Sequence, residues 1–201
     1  MWPRLFSGPC SMNQQNLLKV DWSKIPAPKA EVSLDHLNNC RIPEIKLQST
    51  KGEFVNIGKL SGLSVIYIYP MTGQPNVALP KDWDEIPGAR GCTPQSCSFR
   101  DNFSELTKLN VKNIFGLSSQ TTDYQKELAK RLHLPYAILS DEKLTFANAL
   151  KLPTFKVDNM NLIKRITLIL EDNKIIKYFY PVFPPDENVN QVIAWLKNNK
   201  S

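Results

Sequence analysis

The chain of 201 residues is long enough to bury a full hydrophobic core as one domain without disulfides or structural metals. Its content of 42% hydrophobic and 22% charged residues is that of a globular protein and excludes a disordered or fibrous chain. The net charge of +6 comes from scattered lysines, so a basic patch for nucleic acid is not expected. The longest apolar run, 63–69, is too short to span a bilayer, and residues 1–12 lack the apolar core of a secretory signal. We therefore expect a cytoplasmic protein with neither a membrane nor a nucleic-acid partner.

Residues 1–41 form the first predicted unit, an extended arm that precedes the domain. Pro3, Pro9, Pro26 and Pro28 fall in this segment, and no apolar periodicity is sustained through it. The pattern changes at Ile42, and residues 42–201 are predicted to form the single folded domain.

Strands and helices alternate along this domain. Apolar periodicity and turn residues predict the following elements in chain order: a hairpin of 44–47 and 54–57, a central strand 63–69 ending at Pro70, a helix 93–109, a strand 113–117, a helix 122–133 capped near Thr122 or Asp123, a strand 136–139, a short helix 143–150, a hairpin 165–180 turning at Asp172 and Asn173, and a last helix 188–197. This alternation predicts an α/β fold in which helices cover both faces of a central sheet.

Residues 71–91 are a long connection for a compact domain. They contain Pro75, Pro80 and Pro87, and they lead directly into Cys92. Loops of this length are usually functional or disordered, and the position before a cysteine favours function. Trp83 and Ile86 in this loop are interpreted either as an apolar wall for a bulky ligand or as residues that pack the loop down.

Cys92 is the strongest candidate for a reactive residue. It follows Gly91 and opens a predicted helix, so its sulfur should lie near free backbone N–H groups and the positive end of the helix dipole. Arg90 and Arg100 are close in sequence, and neighbouring cations favour the thiolate, the form of cysteine that acts as a nucleophile.

Cys97 lies five positions later on the same predicted helix. This separation places the two Cα atoms about 8.6 Å apart, whereas a disulfide requires less than about 7 Å. A bond between Cys92 and Cys97 would therefore require the helix to unwind, as in a catalytic intermediate. The alternative for Cys97 is a small buried hydrophobic residue. A dithiol reductase is less favoured because CxxC spacing is absent. Zinc binding is less favoured because, besides the cysteines, only His36 and His133 are available as ligands. A Cys–His hydrolase would have to use one of the same two histidines as its base.

The run from Gly91-Cys92-Thr93 to Cys97-Ser98-Phe99-Arg100-Asp101 resembles the active-site helix of peroxiredoxins, most closely the Q-type or bacterioferritin comigratory protein subgroup. The resemblance covers residues 42–197. It implies a thioredoxin-like fold with a mixed central sheet, a peroxidatic role for Cys92, and a resolving role for Cys97. It implies no metal or organic cofactor.

The family motif PxxxTxxC is interrupted in this chain, because Glu85 and Ala89 occupy the positions of its proline and threonine. The resemblance assigns the proline to Pro70, after the central strand. It assigns the threonine to Thr72, provided that the long loop folds back over the site. In the family an arginine stands at the start of a later strand, and the resemblance assigns this role to Arg165, a permanently charged donor suited to holding a thiolate. Lys164 and Arg90 are the alternatives for this last role.

The expected function is a thiol peroxidase that reduces hydrogen peroxide and organic hydroperoxides. By resemblance, thioredoxin or a glutaredoxin-like dithiol recycles it, and the unit is a monomer or a weak homodimer. Two alternatives remain open: a peroxide-sensing signalling or binding protein with little turnover, and a scaffold of the thioredoxin fold without activity.

Overall fold

A computed structural model describes residues 19–199 of the chain. Within this range the strands are β1 (Lys46–Ser49), β2 (Phe54–Asn56), β3 (Leu63–Ile68), β4 (Val111–Ser118), β5 (Ala137–Ser140), β6 (Thr154–Val157), β7 (Met160–Ile163), β8 (Ile166–Glu171) and β9 (Lys174–Phe179). The α-helices of the same range are α1 (Cys92–Asp101), α2 (Phe103–Lys108), α3 (Thr122–Arg131), α4 (Thr145–Ala149) and α5 (Asn188–Asn198).

The central sheet has the strand order β2-β1-β5-β4-β3-β8-β9. β3 pairs with β4 and β4 with β5 in parallel, whereas the other neighbours in this sheet pair in antiparallel. β6 and β7 form a separate two-stranded sheet. The mixed sheet with flanking helices confirms the α/β fold that the alternation of elements predicted.

The residues of β3 alternate between two hydrophobic clusters, one on each face of the sheet. Val65 and Tyr67 pack with α1, α2, α3 and α5, and this face includes Cys92. Ile66 and Ile68 pack on the opposite face with α4 and with residues of the chain before β1. The period of two in a strand explains this division, and all four side chains are fully buried. The sheet thus holds the N-terminus of α1 on one defined face.

Three features differ from the predicted elements. The single helix expected over 93–109 is divided at Asn102, whose side-chain amide donates to the carbonyl of Ser98 and so competes with the regular helix pattern. The cap of α3 is Thr121, one residue earlier than predicted. The hairpin of β6 and β7 was not predicted; Leu162 packs against the 71–91 loop, whereas Ile163 packs into the core cluster with Ile66 and Ile68.

Residues 19–41 lie against the domain over much of their length. Leu34 and Leu37 are buried in the core cluster beneath the sheet, and Trp22 donates from its indole nitrogen to Asp186 at 3.0 Å. The division of the chain at residue 41 stays a prediction, and residues 1–18 of the predicted arm lie outside the described residues. No helix between residues 19 and 199 has the length and apolar content needed to cross a membrane.

Gly116 in β4 provides the space in which the ring of Tyr67 lies across the neighbouring strand. A Cβ atom at this position would lie 2.8 Å from the Tyr67 hydroxyl and 2.9 Å from its Cζ. Both strands belong to the centre of the sheet, where interiors are close-packed and neighbouring atoms have little room to move.

We expect Gly116→Ala to lower the free energy of unfolding by about 1–3 kcal/mol, because the added methyl group overpacks the site of Tyr67. Urea denaturation followed by tryptophan fluorescence measures this change. The control is Val32→Ala at a position that is 47% exposed, where a shift within about 0.5 kcal/mol is expected. Equal stability of Gly116→Ala and the wild type would contradict the close packing around Tyr67.

Candidate active site

Cys92 is the first residue of α1 and is only 3% exposed. Gly91 precedes it with φ at 102°, a backbone conformation that residues other than glycine rarely adopt. A Cβ on Gly91 would also lie 2.5 Å from the ring of Trp22. Glycine is therefore required here for two reasons, and the sharp turn places the Cys92 sulfur at the N-terminus of the helix, as the sequence predicted.

Arg165, immediately before β8, brings a guanidinium to the same point. Its Nη2 lies 3.1 Å from the Cys92 sulfur, and the side chain is 3% exposed. The same nitrogen donates to the carbonyls of Gly88, Ala89 and Arg90 at 3.0–3.2 Å. A buried cation is costly unless acceptors surround it, and here the end of the 71–91 loop supplies them. The structure thus brings together two residues that are 73 positions apart in sequence.

Gln95 belongs to this site but was not predicted. Its Oε1 accepts from Nη1 of Arg165 at 2.5 Å, and its Nε2 donates to Asn188 at 3.1 Å. Asn188 also accepts from Thr167 at 2.6 Å, and all three polar side chains are fully buried. The sequence offered one signal for it: Gln95 is a polar residue one helical turn after Cys92, on the same face of the helix. The network fixes the orientation of the guanidinium.

A second network fixes α1 to the sheet. The hydroxyl of Tyr67 lies 3.1 Å from Oγ of Ser96 and 3.0 Å from the hydroxyl of Tyr136. Ser96 in turn donates to the carbonyl of Cys92 at 3.0 Å. Burial raises the pKa of Tyr67 and of Tyr136 well above the ordinary tyrosine value, so both rings keep their protons as hydrogen-bond donors. These bonds hold the first turn of the helix in place.

The 71–91 loop covers Cys92 with apolar side chains. Met71, Trp83, Ala89 and Leu162 form a buried group, the loop cluster, in which Trp83 is 4% exposed. The cleft that remains above Cys92 measures about 10 Å³. This is close to the minimum for one water molecule.

Pro70 and Thr72 follow β3, at the edge of the same region. Thr72 lines the cleft above Cys92, so the 71–91 loop does fold back over the cysteine at this residue. Its hydroxyl donates to Oε1 of Gln120 at 3.2 Å rather than to the sulfur. Pro70 is buried directly after the strand. Their expected roles beside Cys92 stay predictions.

The side chain of Cys97 is partly buried against the α1 face of the core, and its thiol is free, as are those of Cys40 and Cys92. Burial raises the pKa of the Cys97 thiol above its ordinary value, and the guanidinium of Arg100 opposes part of this shift. Cys97 is thus mainly a thiol at neutral pH. Cys10 lies outside the described residues.

The alternative partners for Cys92 have other contacts. Arg90 forms an ion pair with Asp84 at 3.0 Å, and Lys164 forms one with Glu31. His36 makes a hydrogen bond with the carbonyl of Leu150 at 2.9 Å. Between residues 19 and 199 no group of three or more His, Cys, Asp or Glu side chains is arranged to hold a metal ion. Arg165, the cation that the resemblance assigned to this role, lies within hydrogen-bond distance of the sulfur.

A family model described as Redoxin matches residues 37–193, more than half of the chain. The chain belongs to the redoxin family. Peroxiredoxin Q of Sedum lineare is 28% identical over 160 residues, which cover 79% of this chain and 76% of the relative. The chain spans 64% of the length of peroxiredoxin Q of Oryza sativa subsp. japonica, at 28% identity over 78% of this chain. A putative peroxiredoxin bcp of Coxiella burnetii is 26% identical over 78% of this chain and 95% of the relative.

Solved structures agree on the fold. Peroxidoxin BcpB of Mycobacterium tuberculosis superimposes with a TM-score of 0.66 at 21% identity, over 82% of this chain and 98% of that protein. Peroxiredoxin Q of Xanthomonas campestris gives a TM-score of 0.63 at 18% identity, over 87% and 96%. The resemblance to Q-type peroxiredoxins is thereby confirmed, as is the thioredoxin-like fold. The relatives support a peroxidase, an oxidoreductase that works through a thiol.

We expect Gln95→Leu to slow the alkylation of Cys92 by iodoacetamide about tenfold at pH 7. A hydrogen bond to a charged group contributes about 1.5–3 kcal/mol, and without it Arg165 loses its fixed position beside the sulfur. Gln95→Glu keeps an acceptor for the guanidinium, but it loses the donor to Asn188 and adds a negative charge near the sulfur, so its rate should also fall below that of the wild type. Circular dichroism checks that both variants fold. A rate in Gln95→Leu equal to that of the wild type would contradict the positioning role of Gln95.

The alkylation of Cys97 should require a higher pH than that of an ordinary cysteine, whose pKa is about 8.5. Peptide mass spectrometry across a pH series gives the midpoint for this residue separately from the other cysteines. Arg100→Gln should move the midpoint still higher, because the lost cation stabilised the thiolate. A midpoint at or below that of an ordinary thiol would be inconsistent with the burial of Cys97.

Proposed function

We propose that this protein is a thiol-dependent peroxidase that reduces hydrogen peroxide and organic hydroperoxides through Cys92. The observation that carries the proposal is the 3.1 Å contact between Nη2 of Arg165 and the Cys92 sulfur at the N-terminus of α1. A guanidinium and a helix N-terminus together favour the thiolate over the thiol. Membership of the redoxin family and the peroxiredoxin relatives support the same reaction.

In the first step the Cys92 thiolate attacks one oxygen of the hydroperoxide. The new S–O bond forms as the O–O bond breaks, and the leaving oxygen takes a proton to become water or an alcohol, which leaves a sulfenic acid. Nε of Arg165 is buried without a hydrogen-bond partner among the described residues. This nitrogen is a donor available to the leaving oxygen, where negative charge develops. We assign Thr72 to orienting the peroxide and Pro70 to shielding the sulfur.

In the second step Cys97 attacks the sulfenic sulfur, and a disulfide forms with release of water. Their Cα atoms, five positions apart on one helix, are separated by about 8.6 Å. Since a disulfide requires less than about 7 Å, the first turns of α1 must unwind. The helix is short, at ten residues, and ends at the break at Asn102. Both features lower the cost of this change.

An external dithiol then reduces the disulfide by thiol–disulfide exchange. We propose thioredoxin or a glutaredoxin-like protein as this reductant, and a monomer or weak homodimer as the working unit. The cycle depends on a compartment that keeps thiols reduced, which favours the cytoplasm. The three free cysteines of residues 19–199 are compatible with such a compartment.

A second candidate function is peroxide sensing with little turnover. The low exposure of Cys92, 3%, favours it, because a buried sulfur limits how fast successive peroxide molecules can react. In this case Cys92 oxidises, and the change is passed to a partner protein. Steady-state peroxide consumption with a thioredoxin system separates the two functions, since only the peroxidase sustains many turnovers.

Cys92→Ser should abolish peroxide consumption, because the serine hydroxyl is not ionised at neutral pH. Cys97→Ser should retain a single turnover, seen as one equivalent of peroxide consumed in a rapid-mixing assay, and lose recycling by thioredoxin. Cys40→Ser is the matched control and should keep the full cycle. In the wild type, mass spectrometry after one equivalent of peroxide should identify a Cys92–Cys97 disulfide. Activity that survives in Cys92→Ser would refute the assignment of the nucleophile.

A further inference from the structure

A strap of residues 22–31 runs along the end of the loop that leads into the active site. Trp22 lies against Gly91, where an added Cβ would be 2.5 Å from the indole ring. Pro28 lies against Gly88, where an added Cβ would be 3.2 Å from the proline ring. The strap thus contacts both ends of the short segment whose carbonyls accept from the buried guanidinium.

Trp22 is held in place by further contacts. Its indole nitrogen donates to Asp186 at 3.0 Å, and its ring meets the ring of Phe183 edge-on, with the centroids 5.8 Å apart. Pro185 also lies against Gly91, at 2.8 Å from the position of an added Cβ. Gly91 therefore packs against an aromatic ring and a proline ring that are both held at the turn before α5.

The turn at Gly91 and Cys92 is the part of the site that must come apart during the proposed cycle. A bond between Cys92 and Cys97 requires the first turns of α1 to unwind. The indole ring of Trp22 packs on this turn in its folded form, and the contact is lost when the turn moves away. A contact made in one of two conformations stabilises that conformation.

We propose that Trp22 is a positioning residue of the peroxidase cycle, which holds the turn at Gly91 and Cys92 in its folded form and so sets the rate at which Cys97 reaches the sulfenic acid. The proposal rests on the peroxidase function proposed above and adds no chemical step to it. Trp22 lies before residue 37, where the match to the family model begins.

The two catalytic steps respond differently to the loss of this contact. Peroxide reacts with the folded form, which is the major population, whereas Cys97 attacks from the unwound form, which is a minor one. A rise of a minor population from about 1% to about 10% lowers the major one by only about a tenth. An apolar contact of about 55 Å² corresponds to a factor of about ten in such an equilibrium. Loss of the indole ring should therefore accelerate the second step alone.

The test follows a single turnover of the full-length protein with hydrogen peroxide, at a concentration that makes the first step the faster one. Quenched samples analysed by mass spectrometry give the rate of disulfide formation, and residual peroxide gives the rate of the first step. Trp22→Ala should form the Cys92–Cys97 disulfide about tenfold faster, with the first step within twofold of the wild type. Trp22→Phe keeps a smaller ring against Gly91 and should give a rate between the two. The control is Lys24→Ala on the same strap, where the side chain is 80% exposed and both rates should stay within twofold.

Hydrogen–deuterium exchange of the reduced protein measures the same turn without peroxide. In Trp22→Ala the amides of residues 92–96 should exchange about tenfold faster, whereas those of β3 should keep the rate of the wild type. This pattern distinguishes local opening of the turn from a general loss of stability. Circular dichroism checks that the variant folds.

Three results would overturn the role of Trp22 and leave the peroxidase function standing. In the first, Trp22→Ala forms the disulfide at the rate of the wild type. In the second, its exchange rises equally at residues 92–96 and in β3. In the third, Lys24→Ala accelerates disulfide formation as much as Trp22→Ala does. A wild type that forms no disulfide after oxidation of Cys92 would instead refute the second step of the proposed function, and the role of Trp22 would fail with it.

Discussion

The contact between the guanidinium of Arg165 and the sulfur of Cys92 is the interaction on which the site depends. It joins the start of β8, which pairs with β3 in the sheet, to the start of α1, which packs on the face of β3 that carries Val65 and Tyr67. A cation buried at this depth must be surrounded by acceptors. Gln95 and the carbonyls of Gly88, Ala89 and Arg90 are these acceptors. The guanidinium that contacts the sulfur therefore also fixes the end of the 71–91 loop.

The long loop before the cysteine returns to the place where it starts. The 71–91 loop begins at the end of β3 and finishes at Gly91, and both ends line the cleft above Cys92. Lengthening a loop between two points that remain close costs little entropy. Thr72 therefore reaches the cleft although it is twenty positions away from the cysteine instead of three. Its role as the threonine of the motif stays a prediction, since its hydroxyl donates to Gln120.

Local signals in the sequence were sufficient for the sheet and for Cys92, and they failed where distant contacts decide the structure. The β-branched run of β3 and the glycine before Cys92 identify their own conformations. The hairpin of β6 and β7 is held by Leu162 in the loop cluster and by Ile163 in the main core, two distant contacts that no local pattern shows. Gln95 and Asn188 are polar residues whose burial depends on meeting each other across 93 positions. Arg165 was found because the family resemblance supplied the long-range contact that periodicity does not contain.

The unequal anchoring of the 71–91 loop determines how the site can open. Its last residues accept three hydrogen bonds from one buried guanidinium, whereas residues 76–83 are held mainly by apolar contacts and short backbone turns. Apolar contacts are non-directional, whereas hydrogen bonds to a buried charge fix the positions of their acceptors. We therefore expect that residues 76–83 shift more readily than the end of the loop, which stays with Arg165 beside the sulfur.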